Sequence, residues 1–109
     1  MDETPPRIDP KSLRSFAEFY PYYLAEHRHP TCRRLHFVGS TLALLSLWCL
    51  AWTREPAFLV AALACGYGFA WIGHYAFEKN RPATFERPLY SFLGDWRMYF
   101  DIWMHRIPF

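Results

Sequence analysis

Two nearly charge-free apolar runs, Leu35 to Thr53 and Pro56 to Phe77, are separated only by the charged pair Arg54-Glu55. As a helix, each run is long enough to cross about 30 Å of bilayer hydrocarbon at roughly 1.5 Å per residue. In Leu42-Ala-Leu-Leu-Ser-Leu-Trp-Cys-Leu-Ala-Trp52 only Ser46 is polar, so every face of that helix is mainly apolar. A soluble bundle with a buried helical hairpin would need polar outward faces, and a chain this short cannot build a core large enough to hide both runs. The pattern therefore predicts an all-α fold: an integral membrane hairpin of two transmembrane helices, spanning about 35–53 and 56–77, flanked by amphipathic interfacial helices. Composition agrees only when read locally. The chain is 52% hydrophobic and 20% aromatic, yet its mean hydropathy is −0.11, because polar arms at both ends average against the apolar block.

Each run carries a histidine at the end away from the charged turn. His36 lies about as many residues from Thr53 as His74 lies from Pro56, so antiparallel helices would hold both imidazoles at one depth. Ionisable groups at that position are costly and usually face protein rather than lipid, which makes them functional candidates. Arg28, Arg33 and Arg34 precede the first span and Lys79, Arg81 and Arg87 follow the second, against the single Arg54 in the turn. By the positive-inside bias both termini, and all the histidines, belong on the cytoplasmic side, the inner-membrane face in a bacterium. The opening Met1-Asp-Glu-Thr-Pro-Pro-Arg has neither a basic nor an apolar signal region, so no cleaved signal peptide is expected.

The formal charge of +2 is unremarkable. Basic residues interleaved with aromatics near the spans suit anionic lipid headgroups, whereas nucleic acid would require a basic stripe that is absent. Cys32, Cys49 and Cys65 have no metal-site spacing and read as small hydrophobes in a reducing setting, with lipidation of Cys32 a weaker alternative.

Residues 1–10 are polar and proline-rich and read as a disordered tail, leaving 11–109 as one domain. Ser15-Phe-Ala-Glu18 has the form of a capping box, opening an interfacial helix that Pro21 should kink or restart and that ends near His27. Pro30 suits the first turn of the next helix. Pro82 and Pro88 bracket a loop, and from Leu89 to His105 the residues Phe92, Trp96, Tyr99, Phe100 and Trp103 recur at helical spacing, as in an aromatic-rich helix lying on the interface.

In the second run Ala62, Gly66, Ala70, His74 and Glu78 stand at successive i+4 positions, and in the first His36, Gly39, Ser40 and Ala43 share one side. Small residues admit a neighbouring backbone, so these stripes should meet, either within the hairpin or between subunits of a homo-oligomer. If they meet within it, His36 and His74 converge, with His27 joining from the preceding helix and His29 as a fourth candidate. Imidazoles with the Glu78 carboxylate form a donor set of the kind used for non-haem iron, zinc or manganese. The plainer alternative is that these histidines hydrogen-bond headgroups or backbone carbonyls, that His105 is interfacial, and that Glu78 pairs with Lys79, Arg81 or Arg97.

Phe19-Tyr-Pro-Tyr-Tyr-Leu-Ala-Glu-His27, then Pro30, Arg33, Arg34, Leu35-His36-Phe37 and Gly39, then Gly73-His74-Tyr-Ala-Phe-Glu78-Lys-Asn-Arg-Pro82-Ala83, resembles the DUF962 family of small membrane proteins. The resemblance runs from about Ser15 to the C-terminus and is strongest to the compact, bacterial-type members. The family includes fungal-type 2-hydroxy fatty acid dioxygenases, and the resemblance implies Fe(2+) as cofactor, His27, His36 and His74 as its ligands, and O2 and a 2-hydroxy fatty acid or related lipid as substrates. The implied reaction is α-oxidation to the acid one carbon shorter, with release of CO2. Glu78 would then be the catalytic group, a further ligand or a brace for His74, and Lys79 and Arg81 would attract the substrate carboxylate. Two other classes compete: a haem-binding electron-transfer hairpin with His36 and His74 as axial ligands, and a non-catalytic membrane adaptor.

Overall fold

The computed structural model describes residues 9–109. Most of the expected disordered tail therefore lies outside the described residues; of its last two, Asp9 caps a short 3-10 turn, Pro10–Ser12. The described residues contain helices and no strands: α1 (Phe16–Ala25), α2 (Pro30–Thr53), α3 (Ala57–Ile72) continued by a π-helical turn (Gly73–Glu78), a 3-10 turn (Ala83–Phe85) and α4 (Pro88–Trp103).

The ends of these helices follow from local chemistry. Ser15 caps α1 by accepting from the Glu18 amide, but the Glu18 carboxylate accepts from Arg14 N–H rather than from Ser15, so the expected box closes one residue early. Pro21 lies inside α1 without ending it. Its missing N–H forfeits a single helical hydrogen bond, the one that would reach back four residues. Pro30 opens α2 with its absent donor at a position that needs none. Arg54, in the left-handed region at φ 58°, closes α2 by donating its backbone N–H to Leu50 O.

The small-residue stripes meet within one hairpin. A methyl group at Gly39 would stand 2.6 Å from Cys65 O and 2.8 Å from Phe69 Cβ, so α2 and α3 approach more closely than any larger residue permits. Ala43, Ala62 and Ala70 are buried along the same seam. At the histidine-bearing end Phe19 and Tyr23 of α1 pack with Ala83, Met98 and Ile102 to form the main core. There α4 also touches α2, Phe37 meeting the rings of Tyr99 and Trp103 at 4.8 and 5.4 Å.

The aromatic spacing of α4 does not by itself say which side of that helix docks. The buried face of α4 is Ser91, Gly94, Met98, Asp101 and Ile102. The aromatic residues Phe92, Phe100 and Trp103 are left half-exposed, because the ring of Tyr23 occupies the space a Cβ on Gly94 would fill and α4 docks through that notch. The hairpin, by contrast, is bare towards its turn. Trp48 is 65%, Trp52 74% and Val60 67% exposed. Both α2 and the Ala57–Glu78 helix are long and apolar enough to cross a membrane, and only 22% of each apolar window is buried. A core helix of a soluble bundle would be largely covered.

Candidate metal centre

Three segments of chain bring His27, His36 and His74 together. His27 follows the last turn of α1, His36 sits in the second turn of α2, and His74 lies in the π-helical turn that ends the second long helix. The ring centroids of His27 lie 4.5 Å from those of both His36 and His74, and the latter two are 5.0 Å apart. All three residues are buried, at 1%, 5% and 2% exposure. One ligating nitrogen from each lies within 4.8 Å of the others. The equal depth inferred from the residue count is what the fold delivers.

Their protons follow from their partners. His27 Nδ1 lies 2.6 Å from Tyr23 O and His36 Nδ1 2.9 Å from Cys32 O. A carbonyl only accepts, so both Nδ1 atoms donate. His74 Nδ1 meets Asn80 Oδ1 at 2.6 Å. The Asn80 amide nitrogen is spent on Glu26 O at 3.0 Å and Glu26 Oε2 at 2.6 Å, so its oxygen must face the imidazole and His74 Nδ1 also donates. With every Nδ1 protonated, the neutral rings present three Nε2 lone pairs to one another in a buried space.

That arrangement is unfavourable without a positive partner, since buried acceptors need a donor or a cation. His27 Nε2 and His36 Nε2 are 3.1 Å apart, close to the spacing of two ligands about 2.1 Å from one ion. A proton cannot serve all three. Burial, reinforced by the neighbouring imidazoles of His36 and His74, holds His27 well below the ordinary histidine range, keeping it in the neutral form that binds metals. The three residues thus form a site suited to a metal ion.

The Glu26–Asn80–His74 chain of hydrogen bonds was not anticipated from the sequence. It exists because Lys79 turns left-handed, at φ 59°, and Asn80 N–H returns to His74 O at 3.1 Å. Gly73 makes the junction possible, since a Cβ there would meet Cys32 Sγ at 2.9 Å.

The remaining candidates lie elsewhere. His29 is the N-cap of α2, its Nδ1 accepting from Thr31 N–H at 3.1 Å, and it does not join the cluster. Glu78 turns its carboxylate to the backbone amide of His29, so it ties the α1–α2 link to the second long helix, and it is Asn80 that meets His74 Nδ1. Its expected ion pairs are not made either: Arg81 pairs with Glu86 at 3.2 Å and Arg97 with Asp101 at 3.1 Å. Lys79 is exposed.

A cavity of about 170 Å³ reaches His36, with Ser40, Asp95 and Trp96 in its lining; Lys79 and Arg81 do not line it. Asp95 also accepts from the Tyr23 hydroxyl, and the Tyr23 ring stacks on His27 at 4.0 Å. Burial pushes the Asp95 carboxyl up to about 7, against the lowering effect of the Tyr23 hydrogen bond. Burial and the adjoining Asp95 carboxylate raise Tyr23 well above the ordinary phenol range. A larger open hollow beside Phe37, Trp103, Arg106 and Phe109 contains none of the clustered histidines.

The family model described as "2-hydroxy-palmitic acid dioxygenase Mpo1-like" matches residues 13–107. The chain belongs to the Mpo1-like family. The match covers all four helices and the three clustered histidines, and the family's name points to dioxygenase chemistry. No curated protein and no solved structure matches the chain.

Proposed function

We propose that this Mpo1-like protein is a membrane-embedded, iron(II)-dependent dioxygenase that converts a 2-hydroxy fatty acid and O2 to the acid one carbon shorter, CO2 and water. The supporting observation is the convergence of three Nε2 lone pairs whose tautomers are fixed from behind by Tyr23 O, Cys32 O and Asn80 Oδ1. The family name supplies the substrate class. The reaction balances without an outside reductant, because the four electrons that reduce O2 all come from the bond cleavage and oxidation of the hydroxy acid.

Bound ferrous iron would supply O2 activation and a Lewis-acid seat for the hydroxy acid, with three protein ligands leaving positions for both. The protein's own contribution is placement. Ser40 and Asp95 offer oxygen atoms beside His36 for the polar end of the substrate, and Asp95 is suited to hold a hydrogen bond with the 2-hydroxyl. Phe92 and Trp96 of α4 flank the cavity with apolar rings. Glu78 acts as a positioning residue through the His29 amide, holding the link that carries His27. The bare apolar hairpin suits a bilayer, and the weight of basic residues at the histidine end favours cytoplasmic termini with the site at that membrane face.

The reading is tested with protein purified without chelators. It should hold about one iron per chain, consume O2 with 2-hydroxy fatty acids and release the shortened acid. His36→Ala and His74→Ala should abolish both metal retention and turnover. Folded variants with full activity would overturn the assignment, and a stoichiometric metal without turnover would reduce the protein to a metal-holding membrane adaptor.

A further inference from the structure

The cavity beside His36 changes character along its length. At one end it is bordered by His36, Ser40 and Asp95, and away from them by Ala43, Leu47, Leu59 and Leu63. His36, Ser40, Ala43 and Leu47 follow one another on a single face of α2, and from His36 to Leu47 the helix rises about 16 Å. Leu59 and Leu63 stand on the facing helix α3, nearer the hairpin turn than Gly66. Phe92 and Trp96 flank the same groove from α4. The floor is low because it is made of small residues: a Cβ built on Gly66 would come only to van der Waals distance, 3.8 Å, from Ala43 Cβ. A groove with one polar end at the metal centre and an apolar remainder has the chemistry of a single-chain amphiphile.

We infer that this groove holds the hydrocarbon chain of the hydroxy acid, with its carboxylate and 2-hydroxyl at His36 and Asp95 and its tail running towards the α2–α3 turn, and that Gly66 sets how long a tail is accepted. The polar end of this assignment rests on the proposed function; the course of the tail rests on the lining residues alone. Ala43, beside Gly66, lies one α2 stretch of about 10 Å beyond His36. That is the reach of about eight extended carbons, each C–C bond of about 1.5 Å advancing the chain about 1.3 Å. The distance along α2 as far as Leu47 corresponds to about twelve such carbons. A larger side chain at Gly66 would raise the floor and stop the chain near its eighth carbon.

Metal-loaded protein in detergent micelles provides the test, by competition of 2-hydroxy fatty acids of six to sixteen carbons against radiolabelled 2-hydroxyhexadecanoate. Wild type should gain affinity with length up to about twelve carbons. Gly66→Leu should keep the affinity for six to eight carbons and lower that for sixteen by about tenfold or more, the discrimination expected when a few methylenes lose their pocket. Gly68→Leu is the control, because a Cβ on Gly68 meets nothing within 4 Å and the residue does not line the groove; its length profile should match wild type. Should Gly66→Leu fail to fold, Gly66→Ala makes only an ordinary contact and should give a smaller shift in the same direction. An unchanged length profile in a folded Gly66 variant, or the same change in Gly68→Leu, overturns the inference even where O2 consumption stands. A truncated binding profile in protein that never consumes O2 would instead retain the groove and overturn the reaction.

Discussion

Removing the Asn80 side chain is the most direct probe of how the site is held. Asn80→Ala deletes the acceptor 2.6 Å from His74 Nδ1 and both donors to Glu26. His74 is 2% exposed, so its freed N–H has little access to water, and an unsatisfied buried donor costs about 1–3 kcal/mol. The ring then gains from moving its proton to Nε2, which removes the lone pair that binds metal. Loss of such an outer partner lowers metal affinity by about 10- to 100-fold, or about 1.4–2.7 kcal/mol, and the estimate from the buried donor falls in the same range. The measurement is anaerobic competition for ferrous ion against a chelator of known affinity, with circular dichroism to establish that the helices persist. Arg81→Ala is the control, since Arg81 pairs with Glu86 and should leave affinity unchanged. A folded Asn80→Ala protein that binds iron as tightly as wild type would refute the argument from fixed tautomers.

Two further predictions concern packing and protonation. Gly39→Ala places a methyl 2.6 Å from Cys65 O, and should destabilise the hairpin by about 1–3 kcal/mol through forced separation of α2 and α3; an unchanged midpoint of thermal unfolding in detergent would show that the seam yields freely. Asp95, raised from 3.8 to about 7 in the folded protein, binds its proton more tightly folded than unfolded. Its contribution is therefore complete below about pH 4 and is lost as pH rises through about 7, with a ceiling of ~4 kcal/mol at about 1.4 kcal/mol per unit. Asp95→Asn should flatten the fall in the unfolding midpoint between pH 4 and 8, and identical profiles for the two proteins would contradict the buried-carboxyl reading.

The hairpin was legible because apolar length and a single charged turn are local properties, and the common depth of His36 and His74 followed from a constant rise per residue. Convergence of His27 with them was suggested by the motif and is realised by the α1–α2 link, where Arg33 donates to His27 O at 3.2 Å and Arg28 O at 2.7 Å. The i+4 relation of Glu78 to His74 assumes an α-helix that continues unchanged, whereas the chain passes into a wider turn and the carboxylate meets the His29 amide. Asn80 carried no signal at all. Its role depends on the left-handed turn at Lys79, and no periodicity encodes a side chain that folds back on the preceding turn. The Tyr23–Asp95 pair is similarly hidden, joining α1 to α4 across most of the chain. The aromatic spacing of α4 was read correctly as a face but with its direction unassigned, and the small notch at Gly94 decides which side docks.

Two of the three imidazoles lean on main-chain carbonyls, those of Tyr23 and Cys32. No amino-acid replacement removes a peptide oxygen, so mutation can alter those two hydrogen bonds only by deforming the helices themselves. The His74 arm is instead held through a side-chain acceptor, Asn80 Oδ1, and the Cys32 thiol adds a second side-chain contact, 3.7 Å from His36 Nδ1. Any retuning of the centre over evolutionary time, or by a protein engineer, therefore has its most direct handle in side chains rather than in the main chain, and diversity among relatives in ion preference or redox poise should concentrate at the positions of Asn80, its carboxylate neighbour Glu26 and Cys32.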